Sequence, residues 1–249
     1  MEKPELVAGA QSLRRGLSIL RLLSANHQEG LRLREISEHL DLERSTAHRL
    51  LACLCEEQFV EKSPTGKHYH LGLASMQLGF ASSQRIPLVE RYRPVMQRLA
   101  RISGDTVFLV ARQGDYAICL HCEEGHFPVK ITTTVVGGTR PLGIGAGGNA
   151  LLAAMDDQEI VQLYRRHQTL FETSALPQET LLQSLGRTRR NGYAETIDVI
   201  SQGITAVGAL IPLGEHPFAA ISIGGISSRM DARRRAELGQ LLREALTAP

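Results

Sequence analysis

No stretch of this sequence stays apolar for the roughly 18–20 residues that a helix needs to cross a bilayer. Residues 1–10 also lack the basic start and apolar run of a secretory signal. A membrane protein is therefore not expected, and a cytoplasmic location is. Charge of one sign is missing too. The net charge is +2 and the isoelectric point about 8.4, so composition alone singles out no polyanionic partner. Cysteine is scarce, with 4 residues in 249, too few for a disulfide framework. Internal repeats and low-complexity tracts are absent. What remains is ordinary globular composition, 43% hydrophobic and 22% charged, on a chain long enough for two modest domains.

Two cysteine pairs carry metal-like spacing, Cys53 with Cys55 and Cys119 with Cys122. A strand over residues 117–121 turns side chains three apart to opposite faces, and helical positions two apart diverge by about 200°. Neither pair is expected to chelate, and buried, reduced thiols are the plainer reading. Catalysis needs a nucleophile beside a base, or paired carboxylates, and no such set stands out. His121 and His126 lie near Glu123 and Glu124, as a turn between strands explains. The sequence is read as that of a non-enzyme with no metal and no cofactor.

Hydrophobic spacing then organises residues 10–72. Leu13, Leu17, Leu20 and Leu23 recur at helical intervals behind Ser12, a plausible N-cap. A second helix over residues 33–40 and a third over about 43–57 are separated only by Asp41 and Leu42. Two β-rich runs follow at 59–62 and 68–71, joined by Ser63-Pro64-Thr65-Gly66, which suits a tight turn. Helix, turn, helix and hairpin in that order predict a winged helix-turn-helix. A linking helix over 73–83, in a connector spanning 73–87, leads to a second domain at 88–249. There, a helix at 88–103 contains Pro94, where a kink or restart is expected. Strands are expected at 106–111, 117–121, 129–136, 204–211 and 218–223. Helices are expected at 149–155, 156–167, 177–191 (ended by Gly192) and 231–246. The fold class is α+β, with a mostly antiparallel sheet in the second domain.

With Ala47, Leu50, Leu51 and Leu54 turned inward, the third helix presents Ser45, His48 and Arg49 outward, behind a first turn bearing Arg44, Ser45 and Thr46. Free N–H groups at that helix start favour phosphate, while hydroxyl and guanidinium groups reach base edges. Lys62, Lys67 and His68 on the hairpin would touch the neighbouring backbone of double-stranded DNA.

Residues 143–148 spell G-x-G-x-x-G. A dinucleotide fold needs a strand running straight into the glycines and an acid about 20 residues later. Thr139-Arg140-Pro141-Leu142 intervenes, and Asp156 and Asp157 come too early, so no nicotinamide cofactor is expected. Glycines before a helix starting near Asn149 still expose N–H groups suited to a carboxylate. The alternative is a tight turn in which glycine avoids a clash.

Ser12 to Leu20, Leu33-Arg34-Glu35-Ile36, residues 44–51 and Tyr69-His70-Leu71-Gly72 resemble the DNA-binding domain of the IclR family of transcriptional regulators. Residues 141–154, Gly192-Tyr193-Ala194, Gly203-Ile204 and residues 217–223 are similar to that family's effector-binding domain, which is GAF-like. The resemblance implies a ligand-responsive repressor that acts on an operator as a homodimer or dimer of dimers. It also implies a small organic or aromatic acid held by Ala146, Gly147, Thr196, Ala206, Ser222 and Gly224. The chain departs from the pattern in several places. Arg32 stands where the family has a capping hydroxyl, Asn149 where it has a lysine, and Thr196 and Ala206 where relatives carry an acid or a cysteine. A metal-responsive repressor and an enzyme with an appended helix-turn-helix are the alternatives to be weighed.

Overall fold

Apolar stripes on short helices close the first of two units, residues 1–87 and 88–249, in a computed structural model that describes residues 7–64, 66–85, 87–131, 133–212 and 218–247. The first unit holds α1 (Gln11–Ala25), α2 (Leu33–His39), α3 (Arg44–Glu56), β1 (Val60–Lys62), β2 (Tyr69–Leu71) and α4 (Leu73–Arg85). Ile19, Leu23, Ile36 and Leu51 are fully buried at its centre, with Val60 and Tyr69 of the hairpin packed on them.

Two expectations for α1 fail. The helix starts at Gln11 with Ala10 at the N-cap, so Ser12 lies inside the first turn and caps nothing. Its buried stripe runs through Ile19 and Leu23, leaving Leu13 and Leu17 exposed, because only the stripe facing α3 and β2 finds apolar partners. The start of α2 is stabilised from within: the backbone N–H of Arg32 donates to the Glu35 carboxylate at 2.6 Å, while a guanidinium has no acceptor to offer the helix end. Asp41 turns the chain between α2 and α3 with φ +48°, a conformation short polar side chains tolerate, and Leu42 N–H donates to Ser37 O at 2.9 Å. β1 and β2 pair antiparallel with Lys62 opposite Tyr69, and Leu31 bridges Tyr69 from the other side. Thr65 of the expected turn lies outside the described residues, as do Ile86, Thr132 and Pro217. Beside Thr65, Gly66 N–H donates to Ser63 O at 2.7 Å.

The second unit runs α5 (Leu88–Ser103), β3 (Thr106–Gln113), β4 (Tyr116–Glu123), β5 (Thr139–Pro141), α6 (Ala146–Ala153), α7 (Asp157–Arg166), α8 (Gln168–Thr173), α9 (Gln178–Asn191), β6 (Ala194–Ile197), β7 (Ile204–Leu210), β8 (Ala219–Ile226) and α10 (Ala232–Thr247). Among the described residues its strands form a six-stranded, wholly antiparallel sheet in the order β5-β4-β3-β8-β7-β6. Alternation along each strand splits the core in two. Val107, Leu109, Val207, Ala209, Ile221 and Ile223 meet α5 and α10 on one face. Phe108, Val110, Cys119 and Ala220 meet the α6–α9 layer on the other. This is the α+β architecture with an antiparallel sheet that the sequence pattern implies.

Several details differ. Among the described residues the β-branched run at 129–136 forms no strand; on the edge away from β3, β4 instead pairs with β5, at 139–141. Gly137 and Gly138 exchange backbone bonds with Cys119, and Val135 and Val136 stay exposed, so tertiary context overrides β propensity. Helix α5 continues through Pro94 as one segment. Glycines 147 and 148 lie inside α6, which starts at Ala146 rather than near Asn149. A β-bulge at Leu120 sets Leu109 opposite His121 and Val110 opposite Cys119, which turns Cys119 and Cys122 to the same face, not to opposite ones. No helix among the described residues is long and apolar enough to cross a membrane.

Candidate nucleic-acid interface and ligand cavity

Burial of Ala47 and Leu51 fixes the rotation of α3. Arg44, Ser45, His48 and Arg49 are consequently exposed, and Thr46 half-buried. The first turn of the helix offers backbone N–H groups with no intrahelical acceptor, and no side chain caps them. On the hairpin, Lys62 and Lys67 are exposed, with the Lys62 ammonium 5.4 Å from the Tyr69 ring centroid. His68 is half-buried, and its Nε2 accepts from Arg32 Nε at 3.3 Å. Arg32, singled out in the sequence only as a poor cap, therefore joins the cationic edge of the hairpin. Its contact is long-range, so spacing alone would not reveal it.

The sensor-side residues are placed by alternation. Ser222 and Gly224 of β8 and Ala206 of β7 point to the α6 face of the sheet, because their neighbours Ile221, Ile223 and Val207 fill the opposite core. α6 can lie directly over them only where the sheet is bare. A Cβ on Gly208 would stand 2.6 Å from the carbonyl carbon of Ala146, and one on Gly147 would stand 2.7 Å from Val110 Cγ2. The chain enters α6 through Gly145, whose φ of +99° suits glycine. Steric clearance is thus required of the glycine run, and the first turn of α6 borders a cavity of about 50 Å³.

Ala146, Gly147, Ala206, Ser222 and Gly224 line that cavity together, with Ile131, Ile144, Ile200, Thr133 and Arg140. Thr196 does not join them. Although it pairs with Ala206 across the sheet, it lines a separate cavity of about 330 Å³ between α9 and β6, beside Tyr193 and Arg235. Asn149 is 2% exposed, lines that second cavity, and donates to Ser184 Oγ at 3.3 Å. Arg140 escaped the sequence reading. It is half-buried, its Nε donates to Thr134 Oγ1 at 3.3 Å and its Nη2 to the Thr133 carbonyl, and burial pushes its pKa below the ordinary value. A lone cation entering a glycine-rich, otherwise apolar segment was the available signal.

The thiols differ from the expected uniform burial: Cys53 is exposed, Cys55 and Cys122 are half-buried, and Cys119 is buried. Burial pushes the Cys119 thiol up to about 11 and raises Cys122 as well, so neither is an activated nucleophile. Among the described residues no three His, Cys, Asp or Glu side chains converge as metal ligands. His121 Nε2 contacts Glu123 at 2.8 Å, an ordinary pair at the end of a strand.

A family model for the C-terminal domain of the bacterial transcriptional regulator IclR matches residues 80–249, and one for the IclR helix-turn-helix domain matches residues 12–64. The HTH-type transcriptional repressor AllR of Escherichia coli K12 is 30% identical over 246 residues, covering 97% of this chain and 90% of its own. The crystal structure of a regulator from Alicyclobacillus acidocaldarius superposes with a TM-score of 0.81 at 24% identity, covering 95% of this chain and 96% of that one. An IclR homologue from Microbacterium hydrocarbonoxydans, solved in complex with 4-hydroxybenzoate, gives a TM-score of 0.74 at 21% identity, covering 94% and 95%. At these structural identities the likeness is one of fold.

Proposed function

Because the chain belongs to the IclR family of bacterial transcriptional regulators, and is thereby a DNA-binding regulator of transcription, we propose that α3 reads its operator and that the α6 cavity holds the effector. The observation that carries the reading is the exposed face of α3. Arg44, Ser45, His48 and Arg49 project outward from a helix whose other side is locked into a core. Thr46 lies at the edge of that face. Lys62, Lys67 and His68 of the wing supply phosphate contacts that position the helix without reading sequence.

The effector is a small organic acid. Free N–H groups at the start of α6 favour an anion, and a relative of the same fold carries 4-hydroxybenzoate. Ala146, Gly147, Ala206, Ser222 and Gly224 surround it, and Thr196 acts from the neighbouring cavity. AllR is named a repressor, and repression is the proposed mode here. The protein works by binding and not by catalysis, in the cytoplasm, as a homodimer or dimer of dimers. Exposed Leu73, Met76 and Leu78 on α4 favour such association.

Fluorescence anisotropy on DNA from the upstream region of the protein's own gene tests the reading. Arg49→Ala should weaken binding about tenfold or more, the loss of one good base contact. Acid-induced thermal stabilisation should persist in that variant. Unchanged DNA affinity would refute the recognition-helix assignment.

A further inference from the structure

The half-buried arginines of the second unit mostly carry acids. Arg112 pairs with Glu159, Arg234 and Arg229 with Asp105, and Arg235 with Glu195. Arg140 departs from this rule. Among the described residues no carboxylate lies within 4.0 Å of it, and its Nη1 has no hydrogen-bond partner. Its guanidinium is turned toward the α6 side of the sheet, since Arg140 pairs with Ala117, which packs in the α6–α9 core. The bonds to Thr133 and Thr134 hold the fork in place. A second polar atom in the same cavity is also left over: Thr133 Oγ1 is buried without a partner among the described residues.

We infer that Arg140 is the anion anchor of the effector cavity, with its Nη1 donating to the carboxylate of a monocarboxylic acid and the Thr133 hydroxyl completing the seat. The inference rests on the reading of that cavity as the effector site. A half-buried, acid-free guanidinium is costly alone and recovers that cost when an anion pairs with it. The N-terminus of α6 adds positive potential on the same cavity. Apart from the Ser222 and Thr134 hydroxyls, the rest of the lining, with Ile131, Ile144, Ile200 and Ile204, is apolar and the volume is small, which suits one carboxylate on a compact apolar body. It does not suit a phosphate dianion or a diacid, each of which brings a second charge to a wall with one cation.

The test uses the full chain and paired probes: straight-chain monocarboxylates of two to five carbons, benzoate and 4-hydroxybenzoate, each beside its primary amide. Calorimetry and thermal shift should show at least one acid binding at least about tenfold more tightly than its amide, the scale of a charge-assisted hydrogen bond. Arg140→Gln should erase that acid preference while leaving amide binding and DNA binding in place. Arg140→Lys should keep part of it. If Arg140→Gln fails to fold, the acid-to-amide ratio in wild type and Arg140→Lys decides. Equal acid binding by a folded Arg140→Gln would overturn the anchor and leave the cavity reading standing. Amides that bind as tightly as acids would overturn the anion reading. Failure of every acid to bind wild type would overturn the carboxylate-effector reading itself, and the anchor with it.

Discussion

Asp115, in the turn between β3 and β4, receives both Arg166 Nε at 2.7 Å and His167 Nε2 at 3.0 Å, and so ties the sheet to the end of α7. The Arg166 hydrogen bond lowers its pKa from the ordinary 3.8, and the His167 contacts reinforce this against an opposing push from burial. A carboxylate with a depressed folded-state pKa stabilises the fold above its unfolded value. That stability is lost as the pH falls through the folded value. Asp115→Asn should therefore lower the unfolding free energy at pH 7, by an amount near the modest scale of a half-exposed pair, about 1 kcal/mol. The difference from wild type should shrink as both are titrated well below pH 3.8. A gap that stays constant into acid would mean that the amide disrupts packing and that the ion pair contributes nothing. Single residues were also where sequence reading was weakest. Nothing local announces the bulge at Leu120, yet that one inserted residue decides that Cys119 and Cys122 share a face. Arg140 attracts no notice in the sequence, because its lack of an acid partner among the described residues is visible only in the fold.

At the scale of elements, the helix-turn-helix and hairpin were legible because their signals are local: helical periodicity, a short turn and a Pro-Gly loop. The second sheet was harder. Strands β5 and β6 are 3 and 4 residues long, too short for alternation to declare them, and the described residues of the longer β-branched run nearby form a loop. Glycine in α6 shows the same limit. Read by propensity, glycines 147 and 148 belong before a helix. In the fold they lie within it, and at Gly147 the reason is that α6 approaches the sheet more closely than a Cβ allows. Gly208→Ala tests that account, since the added methyl would stand 2.6–2.8 Å from the backbone of Ala146 and Gly147. The cost should resemble overpacking, about 1–3 kcal/mol in urea denaturation. Acid-induced stabilisation should weaken as well, because the cavity wall moves with the helix. Wild-type stability together with a wild-type acid response would show that the close approach is dispensable.

For the whole molecule, the two units carry separate cores, one around Ile19, Leu23 and Leu51 and the other on both faces of the six-stranded sheet. On the proposed reading each binds its own ligand, so regulation requires that the free energies of the two binding events be coupled. An effector changes operator affinity only by as much as its own affinity differs between the DNA-competent state and the other. Linkage then imposes equality: if saturating effector weakens operator binding by some factor, saturating operator must weaken effector binding by the same factor. Couplings of this kind commonly run about 5–150-fold. Titrating the full chain in both directions, operator into effector-saturated protein and effector into operator-saturated protein, should return one factor. Arg49→Ala provides the internal control: at an operator concentration that saturates wild type but leaves the weakened variant largely free, the operator should shift effector affinity less in the variant. Two unequal factors at equilibrium would show that the effector's influence on DNA binding runs through a further process, such as a change in subunit association that the two titrations sample differently.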